Sequence, residues 1–104
     1  MDEALHRCYR AVPLNHVRDL APKRGVLALR CVRTRCIACT DFETDGRIAF
    51  EERLQSEEAS HVTIRRWNCD SEEMRQLALA AGVTDIPAYI LIYPLGDVKV
   101  HHVS

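Results

Sequence analysis

Hydrophobic positions along this chain follow two periods. "VLALRCV" at 26–32 is apolar almost throughout, and its length and density predict a buried strand. "HVTIRRW" at 61–67 alternates, with Val62 and Ile64 on one side and Thr63 and Arg65 on the other, which predicts a second strand. "AYILIY" at 88–93 is a third, rich in β-formers; "PLGD" reads as a turn and "VKVHHV" at 98–103 as a last strand. Between the first two, "CIACTDFETDGRIAFEERLQSEEAS" reads as helical, anchored by Phe42, Phe50 and Leu54 and kinked near Gly46. "DSEEMRQLALAAG" is the clearest helix. Asp70 stands at its N-cap with Glu73 three residues on, Met74, Leu77, Ala78 and Ala81 form its buried stripe, and Gly82 stops it. "NHVRDLAP" reads as a short helix capped by Asn15 and stopped at Pro22. Leu5, Cys8, Tyr9 and Val12 fit helical spacing, yet Val12 precedes Pro13, so residues 2–12 are ambiguous. The order (β)αβαβαββ implies an α/β fold, a mixed sheet covered by helices.

No repeat or Gly/Ser linker divides the 104 residues, so residues 1–104 read as one domain. A formal net charge of −1 gives no global field toward nucleic acid or an anionic membrane. No apolar run approaches the length of a membrane span, and "MDEALHRCYRAV" has acids at positions 2 and 3 in place of a secretion signal. A cytoplasmic setting is the expectation. Five cysteines, three of them at 31, 36 and 39, do not suit a secreted disulfide scaffold; in a reducing compartment the cluster points to redox catalysis or metal binding.

Cys36-Ile37-Ala38-Cys39 is a C-x-x-C directly after a buried strand and at the start of a helix. Unpaired amides at a helix N-terminus carry partial positive charge and stabilise a thiolate on the first cysteine. The second, one turn further in, is placed to attack a mixed disulfide and release the substrate.

From about residue 8 to 104 the chain resembles thioredoxin, with few or no gaps. The landmarks are "RGVLALRCVRTRCIAC", "IRRWNCD" with its Asn-x-Asp, "LALAAGVTDIPAYILIY" and "PLGDV". The resemblance implies a thioredoxin fold with a mixed central sheet flanked by helices, in which residues 7–12 form the first strand. It implies that Pro87 has a cis peptide bond and faces the two cysteines, denying a metal access to them, and that Ile86 presents its backbone to an extended substrate peptide. Cys36 and Cys39 become the catalytic pair of a thiol–disulfide oxidoreductase. No cofactor is implied. The partners are a protein bearing a disulfide and a recycling reductant, either a reductase or glutathione.

Four departures from the family stand out. Arg35 replaces the usual Trp, Ile37-Ala38 the usual Gly-Pro, and Arg30 the buried Asp that typically assists the second cysteine. The chain also stops at Ser104, where the family continues into a C-terminal helix. A cation beside a thiol favours its ionised form, so Arg35 should lower the Cys36 pKa, bind at the substrate groove and make the dithiol more oxidising. Guanidinium does not deprotonate, so Arg30 cannot serve as a base and release through Cys39 should be slow. The missing helix should leave an apolar sheet face for a second copy, a partner protein or further residues.

Two other readings compete. One is a redox-inactive thioredoxin-like interaction module. The other is a plant-type [2Fe–2S] carrier built on Cys31, Cys36, Cys39 and Cys69, which the bulky residues between the first two cysteines oppose. Cys8, Cys31, Cys69 and Trp67 otherwise read as packing residues. Arg33, Arg35, Arg65 and Arg66 read as a solvated surface or as a site for an acidic partner or glutathione carboxylates. Adjacent His101 and His102 on a strand point to opposite faces and do not chelate simply.

Overall fold

The computed structural model describes residues 13–103. A helical segment over residues 13–18 (α1) is followed by β1 (Val26–Val32), α2 (Ile37–Asp45), α3 (Arg47–Glu57), β2 (Val62–Asn68), α4 (Glu72–Ala81), β3 (Ala88–Ile92) and β4 (Val98–His102). The four strands form one sheet in the order β2-β1-β3-β4. β2 runs parallel to β1, while β3 is antiparallel to both β1 and β4. This is the expected mixed sheet flanked by helices. The ambiguous stretch at 2–12, with its proposed first strand at 7–12 and Cys8, lies outside the described residues.

Alternation along β1 divides the core. Val26 and Ala28 face the layer made by α2 and α3, packing with Phe42, Leu54, Tyr89 and Leu91. Leu29 and Cys31 face the other layer, with Val17 from α1, Leu77 and Ala78 from α4, and Ile90 and Ile92 from β3. β3 is buried along its whole length, as its unbroken apolar run requires. Phe50 stacks on Tyr89 at 5.1 Å between centroids and meets Phe42 edge-on at 5.7 Å, so the anticipated aromatic anchors hold the helical layer to the sheet.

Gly46 separates α2 from α3, its N–H bonding back to the Phe42 carbonyl at 2.9 Å. Gly82 closes α4 in the left-handed region, at φ 111°. Gly25, at φ 74°, lets the entry to β1 run against β2: a Cβ there would lie 2.7 Å from the His61 carbonyl oxygen.

Three expectations need correction. Asn15 does not cap α1: the helix already includes Pro13, a residue suited to a first turn, and the Asn15 carbonyl accepts an intrahelical bond from Asp19. Ser71, not Asp70, caps α4, its hydroxyl accepting from the Met74 N–H at 3.2 Å, because Asp70 is engaged elsewhere. An open apolar sheet face, the third expectation, is not found among the described residues. Tyr89 and Leu91 are covered by the aromatic anchors, and the β4 residues beside them on that face are His101 and Lys99. The large apolar side chains left exposed, Leu20, Ile37, Ile48, Leu79 and Leu95, lie on helices or turns.

Two tyrosines tie the layers together. The Tyr89 hydroxyl donates to Glu51 and the Tyr93 hydroxyl to Glu58, each at 2.6 Å. Burial, then the hydrogen bond to Glu58, pushes Tyr93 up to about 12; burial and Glu51 raise Tyr89 as well. A raised phenol gives stability that is complete below the unfolded value of about 10 and is lost as pH rises through the folded one. Equilibrium denaturation should therefore show stability falling from about pH 10 upward, and Tyr93→Phe should make that fall shallower.

Candidate redox site

β1 ends at Val32, and residues 33–35 carry the chain to Cys36 at the head of α2. Two carboxylate bonds fix this crossing. The Thr34 N–H donates to Asp70 Oδ1 at 2.8 Å and its hydroxyl donates to Oδ2. Asp70 is itself set by its own N–H, which donates to Asn68 Oδ1 at 2.8 Å. The turn after β2 thus holds the turn after β1. The Thr34 hydroxyl, then its amide, keeps Asp70 below the usual carboxylate range. Its contribution is present above the unfolded pKa and lost as pH falls through the folded one. Asp70 belongs to the Asn-x-Asp landmark, but the cap pattern ahead of α4 concealed this role.

Arg35 occupies the left-handed region at φ 56°, an unusual place for a side chain with a Cβ. That bend delivers Cys36 to the N-cap of α2, where its Sγ accepts from the Cys39 N–H at 3.1 Å. Cys36 and Cys39 are joined as a disulfide, with 5.2 Å between their Cα atoms. Cys36 is partly exposed and Cys39 buried, so the first sulfur meets solvent and the second backs it. Beside them Ile37 is 81% exposed.

The Ile86–Pro87 peptide is cis. Cys31 pairs with Ala88, so Pro87 lies just past the end of that ladder, at the edge of the sheet from which the dithiol loop departs. Pro87 is buried and Ile86 half-buried. Ile86 walls a cleft of about 160 Å³ with Arg33, Cys69, Arg75, Ala78 and Val83.

Arg30 lies beneath the α2–α3 layer. Its Nη1 donates to Glu51 Oε2 at 3.0 Å, and Glu51 also accepts from the Tyr89 hydroxyl and from Arg47 Nη1 at 3.2 Å. Burial works against the Arg30 charge, but the bond to Glu51 and the neighbouring carboxylates outweigh it, and its pKa sits above the usual value. The sequence pattern had no signal for Glu51, which lies two helices' reach from Arg30 along the chain and reads there as one surface acid among many.

The four cysteines of the iron–sulfur reading divide between two places. Cys31 and Cys69 are buried free thiols in the core under α1 and α4, the Cys31 thiol donating to the Leu29 carbonyl at 3.7 Å and the Cys69 thiol to the Trp67 carbonyl at 3.9 Å. The neighbouring Cys69 thiol, then burial, pushes Cys31 far up, so it persists as a thiol. Cys36 and Cys39 sit at the head of α2, and among the described residues no group of three or more His, Cys, Asp or Glu converges. The cluster reading is set aside on this geometry. Trp67 is half-buried against the same core, its Nε1 donating to the Met74 carbonyl at 3.2 Å. His101 pairs with Tyr89 across the sheet, while His102 Nε2 lies 3.1 Å from the Thr84 nitrogen, which separates the two rings. No helix among the described residues is long and apolar enough to cross a membrane.

No family model and no curated protein matches the chain. Among solved structures it is similar to MTB DsbF, at 17% identity and TM-score 0.45 over 75% of this chain and 69% of that one. Trichomonas vaginalis thioredoxin is 21% identical with TM-score 0.47, over 88% and 73%. The C-terminal domain of Neisseria meningitidis DsbD is 15% identical with TM-score 0.46, over 94% and 79%. The chain's own strand order, its disulfide at the head of the helix after the central strand and its cis Ile86–Pro87 peptide make the fold thioredoxin-like.

Proposed function

We propose that the protein is a thiol–disulfide oxidoreductase acting on protein disulfides or glutathione mixed disulfides. One observation carries the reading: Cys36 is the N-cap of α2, with its sulfur on a backbone N–H and Cys39 buried one turn behind it. In the reduced protein the same N–H and the helix terminus favour a Cys36 thiolate. That thiolate attacks one sulfur of the substrate disulfide and expels the other as a thiolate, which takes a proton from solvent. Cys39 then loses its proton, attacks Cys36 Sγ and releases the second substrate thiol. The substrate gains two electrons, and the protein is left with the Cys36–Cys39 disulfide. A reductase dithiol or two glutathione molecules return it to the start, and no cofactor enters the half-reaction.

Ile86 and Pro87 would shape the groove for an extended peptide, with exposed Ile37 as an apolar contact and Arg35 as the cation beside Cys36. Arg30 is turned to Glu51 and, as a guanidinium, supplies no base where thioredoxin has a carboxylate, so resolution through Cys39 is slow. The free thiols of Cys31 and Cys69 suit a reducing compartment such as the cytoplasm. The direct test is reduction of insulin disulfides by dithiothreitol, followed by turbidity. The protein should shorten the lag, and a lag equal to that of buffer would refute the activity on protein disulfides.

A further inference from the structure

Arg30 and Arg66 are partners in the parallel ladder of β1 and β2, so two guanidinium side chains leave the same face of the sheet from adjacent strands. Like charges placed directly opposite are unfavourable unless something of opposite sign joins them. Glu51 answers Arg30 through Nη1, yet Arg30 Nε is sealed from solvent without an acceptor. Among the described residues Arg66 and Arg33 form no ion pair.

All three arginines line one cleft of about 280 Å³ whose wall includes Cys39. The only acid on that wall, Glu43, is engaged by Arg47 at 2.9 Å. Thr40 and Thr44 also line it, but their hydroxyls donate to the carbonyls of Cys36 and Thr40. The cleft therefore offers guanidinium donors in excess and little to satisfy them. Planar guanidinium groups match the oxygens of phosphates and carboxylates, and pairs of such donors hold them by charge-assisted hydrogen bonds.

We infer that the cleft beneath Arg33 and Arg66 is an oxyanion-binding site beside Cys39 of the dithiol, taking a phosphate or carboxylate group. The anion relieves the Arg30–Arg66 repulsion and answers the unpaired charges of Arg33 and Arg66 beside Cys39. Binding to the oxidised protein needs no turnover, so it is read independently of the proposed activity.

The test is a titration of the oxidised full chain with inorganic phosphate at constant ionic strength, followed by amide chemical shifts. Saturable shifts should centre on residues 30, 33, 39 and 66. Arg66→Gln and Arg33→Gln, both at exposed positions, should each weaken binding at least about tenfold. Arg65→Gln, the next residue of β2 and on its other face, should leave it unchanged. Competition by S-methylglutathione would identify peptide carboxylates as ligands of the same site; binding of phosphate without competition would restrict it to inorganic oxyanions. Shifts that never saturate, or affinity kept within about twofold in both Arg33→Gln and Arg66→Gln, would overturn the inference.

Discussion

Cys39→Ser should convert the protein into a trap that holds its substrate covalently, and Cys36→Ser should abolish exchange. The two sulfurs are not equivalent. Cys36 is partly exposed and caps α2, so it is the sulfur a substrate disulfide can reach. A serine hydroxyl in its place is far too weak an acid to supply the attacking anion at neutral pH, and the rate should fall to the uncatalysed background. Cys39 is 7% exposed and closed off behind the helix terminus. With it replaced, the mixed disulfide on Cys36 has no intramolecular exit and should persist for roughly an hour or more, within the range of uncatalysed reshuffling. Mass spectrometry of the intact adduct reads the outcome. Equal trapping by both single variants, or trapping through Cys31 or Cys69, would contradict the assignment of roles.

Glu51→Ala should be among the most destabilising single changes in the helical layer. One carboxylate accepts from Arg30, Arg47 and Tyr89, and the Arg30 and Glu51 side chains are each 15% exposed. Removing it leaves a largely buried guanidinium and a buried phenol without their acceptor. Breaking a buried pair in this way costs about 3 kcal/mol or more. For a domain of this size that is a fall in Tm of roughly 12–24 °C. Glu51→Gln keeps the shape and an acceptor, and should cost about half as much. Urea unfolding of the two variants checks the prediction, and a loss under about 1 kcal/mol for Glu51→Ala would mean that Arg30 is answered by solvent.

The fold was legible where hydrophobic period and length agree. The strands from Val26, Ala88 and Val98 and the stripe of α4 are readable because each buries a face, and burial dictates residue type directly. The dithiol was legible from its placement between such a strand and a helix. The N-cap of α4 was not, although its stop at Gly82 was, because Asp70 and Ser71 are both good caps by type and only the contact with Thr34 decides between them. Polar links across the fold left no periodic trace. Glu51 with Arg30, and Arg30 beside Arg66, depend on strand register and helix placement, which no local pattern encodes. The covering of the sheet was not legible either, because Phe42 and Phe50 reach Tyr89 only through the placement of α2 and α3, and Lys99 and His101 stand on that face of β4 only through strand register.

Cys36 and Cys39 should form a working redox couple, and the midpoint of that pair decides it, with the protein equilibrated across glutathione ratios, quenched in acid and alkylated. The tryptic peptide from Cys36 to Arg47 carries these two cysteines and no other, so mass spectrometry reads them alone. One two-electron transition is expected, at a potential above the value of about −270 mV typical of thioredoxin, because Arg35 and the helix terminus stabilise the reduced form. Two thiols that stay free at every ratio would contradict it and leave a thioredoxin-shaped binding module.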